Sequence, residues 1–246
     1  MASLTRTTPI ISIIEPVYLF LFRNEREDLL ADLLLYCLGT NLYNSDKRIR
    51  RHGNLCIKEA TILRERAKKF AEMAHKGQTR KNSNAPYVTH PIRVAERLEK
   101  AGCSEELICA AYLHDVVEDT PYEIQDMENH FGSKVAELVA AHTEDKSKSW
   151  EERKQHTIDT IRNGSKEVKY LIVADKLDNL LGQEQDIKQL GPEVAWRNFN
   201  AGVDRQKWYN ESICEAMYVG LDKKDIPTYF KEYEDLVKRV FHFSSN

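Results

Sequence analysis

Residues 113–120 of the chain read LHDVVEDT, which places one histidine and three carboxylates directly after the apolar run from Leu107 to Leu113. This run predicts a helix over residues 104–119, with Ser104 as its N-cap. At about 100° per residue, four polar side chains fall within an arc of roughly 140° on one side of that helix: His114, Asp115, Glu118 and Asp119. Carboxylates on a core-facing side are costly unless a cation or hydrogen bonds compensate them. The pattern therefore indicates a functional site, and a solvated acidic helix end is the alternative.

The composition is typical of a globular protein and does not indicate binding to nucleic acid. The chain has 246 residues, of which 41% are hydrophobic and 30% charged, enough for a sizeable core. A net charge of −3 provides no basic field, so nucleic acid is not an expected partner. The five cysteines are odd in number and never spaced as CxxC, which argues against disulfides and against a thiolate zinc site. A reducing, cytoplasmic setting is expected.

The helical period dominates the chain, and no segment alternates apolar and polar residues long enough to predict a strand. The expected architecture is an all-α helical bundle over residues 56–246, with an N-terminal helical extension over residues 1–55. The apolar run Ile10 to Phe22 is interrupted by Glu15 and Pro16 and is shorter than the ~18 residues of a membrane span, so no stable membrane insertion is expected. Accessory helices are predicted there, with a homo-oligomer contact or a peripheral membrane contact as alternatives.

Two further residues are candidates for metal binding. Asp175 lies on the predicted helix 167–181, closed by Gly182, and shares the apolar face of Leu171 and Ile172, so its carboxylate should be buried. A buried carboxylate is tolerable when a cation neutralises it. His90 precedes a helix beginning at Pro91, where a structural capping role is the alternative.

Taken together, the candidates form a mixed nitrogen and oxygen ligand set, since His90 and His114 are imidazoles and Asp115 and Asp175 are carboxylates. Such a set suits Mn²⁺, Fe²⁺ or Zn²⁺, and the absence of thiolates argues against a closed structural zinc site. A metal ion there would lower the pKa of bound water and polarise a phosphoryl oxygen. Glu118 and Asp119 follow one turn later, where they could orient or deprotonate that water.

In this order, the residues resemble the signature of the HD phosphohydrolase superfamily, and within it the hydrolase domain of the RelA/SpoT family and its small stand-alone relatives. Five ordered segments carry the resemblance: AHKGQTRK (74–81), PYVTHP (86–91), LHDVVEDT (113–120), FG (131–132) and ADKLDNL (174–180). With the helices around them, they span about residues 57–221.

The resemblance implies an all-α HD-domain bundle and a Mn²⁺-dependent hydrolase, with Fe²⁺ or Zn²⁺ as alternatives. Enzymes of this family remove the 3′-pyrophosphate from guanosine tetra- or pentaphosphate alarmones. Matched by motif, the metal ligands would be His90, His114, Asp115 and Asp175, and the water-activating pair would be Glu118 and Asp119. The expected substrate contacts are Arg80, Lys81, Tyr87, Lys146, Asn179 and Arg205. Solvated positions are the alternative for Lys146 and Arg205, and a buried tyrosine with a bonded hydroxyl is the alternative for Tyr87.

The substrate is left open between two classes. The loop from Lys81 to Pro86 is one residue longer than in the long bifunctional enzymes and lacks their common glycine. Besides an alarmone, the nucleotide substrate could therefore be another nucleotide or a phosphorylated dinucleotide such as NADPH. A non-catalytic binding module would require the loss of a ligand or of the acidic pair, and none is lost. Since residue 246 ends the chain with no room for a synthetase domain, hydrolysis without synthesis is expected.

Overall fold

The computed structural model describes residues 61–80, 84–197 and 201–242. Within these ranges the chain is helical and contains no strand; Thr79 and Pro86 form an isolated bridge. The prediction of an all-α fold is confirmed. The predicted extension over residues 1–55 and its boundary with the main domain lie outside the described residues and stay predictions.

No helix of the described ranges combines the length and apolar character that a bilayer span needs. In chain order the helices are α1 (61–74), α2 (Thr89–Lys100), α3 (Glu105–Leu113), α4 (Val116–Asp119), α5 (Ile124–Phe131), α6 (Ser133–His142), α7 (Trp150–Asn163), α8 (Lys166–Leu190), α9 (Pro192–Arg197), α10 (Val203–Ala216) and α11 (Thr228–His242), with a 3₁₀ turn at Lys223–Asp225.

Helix α8 is the central element of this bundle. It begins after Ser165, whose hydroxyl accepts a hydrogen bond from the Val168 N–H at 3.4 Å, and ends at Gly191, whose φ of 80° favours glycine. Helices α2, α3, α6, α7, α9 and α11 all pack against it. A side chain on α8 can therefore be reached from several other helices, as a multi-ligand site requires.

The predicted end of this helix at Leu181 is wrong, because α8 continues through Gly182 to Leu190. A glycine inside a helix costs only about 1 kcal/mol relative to alanine. Packing of α8 against its neighbours overrides that local preference.

The predicted single helix over residues 104–119 is also wrong. Ser104 caps α3 as expected, its hydroxyl accepting from the Leu107 N–H at 3.4 Å, but α3 ends at Leu113 and α4 starts at Val116. His114 Nδ1 lies 2.7 Å from the Ala111 carbonyl, the acceptor that a continuous helix would pair with the next N–H after His114. The break places the His-Asp pair at a junction of two helices instead of along one helical face.

Candidate metal centre and active site

Three separate parts of the fold bring the predicted metal ligands together. His90 lies in the first turn of α2, His114 and Asp115 form the α3–α4 junction, and Asp175 lies within α8. Both histidines are completely buried, and Asp175 is only 2% exposed. Burial of this degree makes an uncompensated carboxylate unfavourable, so the surroundings must supply positive charge.

The ligand atoms have the spacing of a shared coordination sphere. His90 Nε2 lies 3.0 Å from Asp175 Oδ1 and 3.3 Å from His114 Nε2, and one ligand atom from each of these three residues lies within 4.8 Å of the others. Asp115 Oδ2 lies 3.1 Å from His114 Nε2 and 3.6 Å from His90 Nε2. Two ligands bound at about 2.1 Å and at right angles are roughly 3 Å apart. His90, His114 and Asp175 therefore fit one divalent cation, and Asp115 lies next to both histidines.

The outer nitrogens of both imidazoles determine which atoms face the centre. His114 Nδ1 donates to the Ala111 carbonyl at 2.7 Å, and His90 Nδ1 donates to Asp178 Oδ2 at 2.6 Å. Because a carbonyl and a carboxylate can only accept, each neutral ring carries its proton on Nδ1 and its lone pair on Nε2. Two Nε2 lone pairs and carboxylate oxygens then face one another, an arrangement that a cation stabilises.

The electrostatics of the cluster favour added positive charge. Burial lowers the pKa of His114, but Asp115 and then Asp175 raise it more, and the result is a pKa well above the usual value. Burial raises the pKa of Asp175, yet Lys176 and the surrounding histidines bring it well below the usual value. A proton or a metal ion can supply the charge, so metal binding should compete with protonation.

Two residues predicted as substrate contacts also hold the predicted ligands. Tyr87 Oη donates to Asp115 Oδ2 at 2.6 Å, which is the bonded-hydroxyl alternative for this tyrosine. Asn179 Nδ2 donates to Asp175 Oδ1 at 2.6 Å, and Arg80 Nη2 donates to Asn179 Oδ1 at 3.0 Å. Tyr87, Asn179 and Arg80 line a cavity as well, so each is placed to support the ligands and to meet a bound molecule.

Sequence reasoning missed several residues around the centre. His142 Nε2 donates to Asp175 Oδ2 at 2.9 Å, and Lys176 Nζ lies 2.7 Å from the same oxygen. Asp178 bonds His90, as described above, and is bound in turn by Arg93. A spacing of three residues from Asp175 was the available signal for Asp178; the position of His142 depends on helix packing alone.

The predicted acidic pair lies at the wall of a cavity of about 1240 Å³. Lys146 Nζ donates to Asp119 Oδ1 at 2.8 Å and to the Glu118 carbonyl at 2.5 Å, while Glu118 Oε2 accepts from the Glu144 N–H at 3.3 Å. Burial, followed by the charges of Asp115 and Glu144, raises the pKa of Glu118. A carboxylate with a raised pKa is better suited to accept a proton.

Six cationic side chains and four carboxylates line the cavity, so its lining carries an excess of positive charge. The cationic residues are Arg80, Arg93, Arg97, Arg153, Lys154 and Lys176. The aromatic residues Trp150 and Tyr209 line it too, and Lys154 Nζ lies 5.2 Å from the centre of the Tyr209 ring. Arg205 is exposed and forms an ion pair with Glu151, outside this lining, and Lys81 lies outside the described residues. The cavity can therefore receive a phosphorylated molecule beside the metal centre.

Comparison with known proteins assigns the chain to a family. A family model described as HD domain matches residues 67–195. A guanosine-3′,5′-bis(diphosphate) 3′-pyrophosphohydrolase named MESH1 from Drosophila melanogaster is 42% identical over 114 residues, 45% of this chain and 64% of that protein. The MESH1 of Homo sapiens is 39% identical over 138 residues, 55% of this chain and 74% of that protein.

Solved structures agree with that assignment. A crystal structure of lmo0812 from Listeria monocytogenes EGD-e has 50% sequence identity and a TM-score of 0.60, covering 62% of this chain and 99% of that one. A metazoan ortholog of SpoT, described as hydrolysing ppGpp, has 28% identity and a TM-score of 0.58, covering 72% of this chain and 94% of that one. With the family model matching more than half of its length, this chain belongs to the HD-domain family, in the branch of the small stand-alone relatives of SpoT.

Proposed function

We propose that this protein is a metal-dependent hydrolase that removes pyrophosphate from the 3′ position of guanosine 3′,5′-bis(diphosphate). The observation that carries the proposal is a buried group of two histidines and one aspartate next to a cavity that is lined by cationic side chains and by Glu118 and Asp119. Relatives at 39% and 42% identity carry the name of that activity. Water would add to the phosphorus atom bonded to O3′, the P–O3′ bond would break, and GDP and pyrophosphate would be released.

Each residue of the site would have a separate role in this reaction. His90, His114, Asp115 and Asp175 would hold the ion, which when bound lowers the pKa of water and polarises a phosphoryl oxygen. Glu118 would take the proton of the attacking water, helped by the raised pKa of its carboxylate. Lys146 would keep Asp119 in place through its 2.8 Å contact. Arg80 and Asn179, hydrogen-bonded to each other at the cavity wall, would orient the nucleotide, with Lys81 and Arg205 as further predicted contacts.

Manganese is the proposed ion. The ligand set contains imidazole and carboxylate groups and no thiolate, which is compatible with Mn²⁺, Fe²⁺ and Zn²⁺. Metal analysis of the purified protein, together with reconstitution of the chelated protein by each ion, tests this choice. Highest turnover with Mn²⁺ is expected, and turnover with Zn²⁺ alone would contradict it.

A substrate panel tests the activity. With Mn²⁺ present, guanosine 3′,5′-bis(diphosphate) should yield GDP and pyrophosphate in equal amounts. Release of single phosphates from many nucleotides, with that compound left intact, would contradict the proposal.

One observation favours a second candidate, a phosphorylated dinucleotide such as NADPH. The cavity volume of about 1240 Å³ exceeds the roughly 300–1,000 Å³ of ordinary ligand pockets, and aromatic residues line it at Trp150 and at Trp196. A second nucleoside could occupy the additional space. Release of phosphate from NADPH at a higher kcat/KM than release of pyrophosphate from the alarmone would select this candidate.

The wider setting is part of the same proposal. An alarmone hydrolase would act in the stringent response, and a reducing, cytoplasmic location agrees with the free thiols of Cys103, Cys109 and Cys214. The net charge of −3 provides no basic field for nucleic acid, and the proposed partner is a small nucleotide. Assembly into a homo-oligomer stays a prediction.

A further inference from the structure

We propose that Asp178 and Arg93 form a positioning pair that aims His90 at the metal ion. This inference rests on the metal centre of the proposed function. It gives a role in orienting a ligand to two residues that belong neither to the ligand set nor to the acidic pair. The same three-residue spacing occurs on both helices. Arg93 follows His90 by three residues on α2, and Asp178 follows Asp175 by three residues on α8. Each helix thus presents a ligand and a supporting residue on one face.

Asp178 controls the orientation of the imidazole. Its Oδ2 accepts from His90 Nδ1 at 2.6 Å, and both partners are buried, with Asp178 only 3% exposed. This hydrogen bond keeps the proton on Nδ1, leaves the Nε2 lone pair toward Asp175 and His114, and prevents the ring from turning over. A carboxylate behind a ligating histidine also makes the ring a stronger electron donor.

Arg93 holds the Asp178 carboxylate in the orientation in which it accepts the hydrogen bond from His90. Its Nε donates to Asp178 Oδ1 at 2.7 Å and its Nη2 donates to Oδ2 at 2.9 Å, a two-point contact that leaves the carboxylate one orientation. The guanidinium also balances a charge that would otherwise be buried without a cation. About half of the Arg93 side chain remains exposed, and the residue lines the substrate cavity.

A purely structural ion pair between α2 and α8 is the competing explanation. In that case the loss of Asp178 would lower stability and leave the intrinsic metal affinity of the folded protein unchanged. If Asp178 positions the ring, its replacement should lower the metal affinity of the folded protein, because the His90 ring that is no longer oriented is a metal ligand.

The experiment measures Mn²⁺ affinity of the full chain by calorimetry in the absence of nucleotide. Asp178→Asn keeps the shape of the side chain and removes its charge, so we expect the dissociation constant to rise about 10–100-fold. Glu184→Gln is the matched control, because Glu184 is also on α8 and pairs with Arg239 at 3.1 Å, away from the metal ligands and the cavity lining. The control should bind Mn²⁺ like the unmodified protein.

A second variant keeps the inference testable if Asp178→Asn does not fold. Arg93→Gln changes a half-exposed side chain and should also weaken Mn²⁺ binding, by a smaller factor. Since Arg93 acts through Asp178, the double variant should bind no more weakly than Asp178→Asn alone. In the unmodified protein, NMR should show a hydrogen-bonded Nδ1 proton on His90, and this hydrogen bond should weaken in Asp178→Asn because an amide oxygen is a weaker acceptor than a carboxylate.

Two results would overturn the positioning role: Mn²⁺ affinity in Asp178→Asn equal to that of Glu184→Gln, or losses from Arg93→Gln and Asp178→Asn that simply add. Because binding is measured without nucleotide, failure of the proposed substrate would not imitate either result. If Mn²⁺ affinity depends on Asp178 but the protein leaves the alarmone intact, the proposed substrate is contradicted and the positioning pair stands.

Discussion

Two carboxylates separated by three residues have opposite acid–base properties. Burial raises the pKa of Asp115, but the charges of His114 and then His90 lower it by more, so its pKa lies below the usual value and the carboxylate stays charged. Burial raises the pKa of Glu118, and the charges of Asp115 and Glu144 raise it more. Different surroundings thereby suit one carboxylate to binding a cation and the other to exchanging a proton.

Glu118→Gln should therefore reduce turnover while leaving the metal in place. We expect kcat to fall about 10²–10⁴-fold, the usual contribution of a positioned base, with Mn²⁺ affinity retained. Initial rates and metal titrations measure the two quantities. Glu137→Gln, an exposed position on α6 outside the cavity lining, should keep the original rate. An unchanged kcat in Glu118→Gln would assign the base to another residue.

The pH dependence of the rate follows from the same residue. A base must be deprotonated, so activity falls as pH decreases through its pKa. Since the pKa of Glu118 is raised, the acidic limb of the kcat profile should lie above 4.5, the ordinary value for glutamate. Loss of activity only below that pH would contradict this assignment.

Among the elements, the junction of α7 and α8 determines where the central helix begins. Gly164 donates its N–H to the Thr160 carbonyl at 2.8 Å, and Ser165 caps α8 immediately afterwards. A Cβ atom at Gly164 would lie 2.5 Å from the Thr160 carbonyl oxygen, a backbone atom that cannot turn away. The same Cβ atom would lie 3.1 Å from Val168 Cγ1 on α8, so the tight connection between the two helices depends on a residue without a side chain.

Gly164→Ala should destabilise the protein by about 1–3 kcal/mol, the usual cost of overpacking. Gly182→Ala, within α8, is the matched comparison, because its nearest neighbour would be Arg80 Nη2 at an ordinary 3.8 Å. In that helix interior alanine should be neutral or stabilising by up to about 1 kcal/mol. Urea unfolding curves measure both changes. Equal stability of the two variants would refute the close approach at Gly164.

At the scale of the whole molecule, the metal centre joins distant parts of the chain. His90 and Asp175 are 85 residues apart in the sequence, and their atoms are 3.0 Å apart in the fold. The unfolded chain has no such cluster, so an ion that binds the folded form stabilises it.

Removing the ion should lower the melting temperature. With free Mn²⁺ at 100 times its dissociation constant, the expected stabilisation is about 2.7 kcal/mol, which corresponds to roughly 5–10 °C for a domain of this size. Thermal unfolding with excess Mn²⁺ and with EDTA measures the difference. Asp175→Asn, which lacks a proposed ligand, should respond far less to Mn²⁺. Identical melting temperatures with and without the ion would argue against the centre.

Local patterns in the sequence were sufficient to predict the all-α architecture. Helical periodicity predicted the all-α fold, and the N-cap at Ser104 was correct because a capping hydrogen bond involves residues three apart. The burial of Asp175 also followed from its place on an apolar helical face.

Other features were decided only when the helices packed. The break after Leu113, the continuation of α8 through Gly182 and the contact of Tyr87 with Asp115 each depend on neighbours from elsewhere in the chain. The same holds for His142 on Asp175, a contact across 33 residues. The amino-acid sequence by itself determined which groups are candidates for binding a cation. Tertiary structure decided which groups support them, because a hydrogen bond requires atoms within about 3 Å and periodicity along one helix does not specify distances to another.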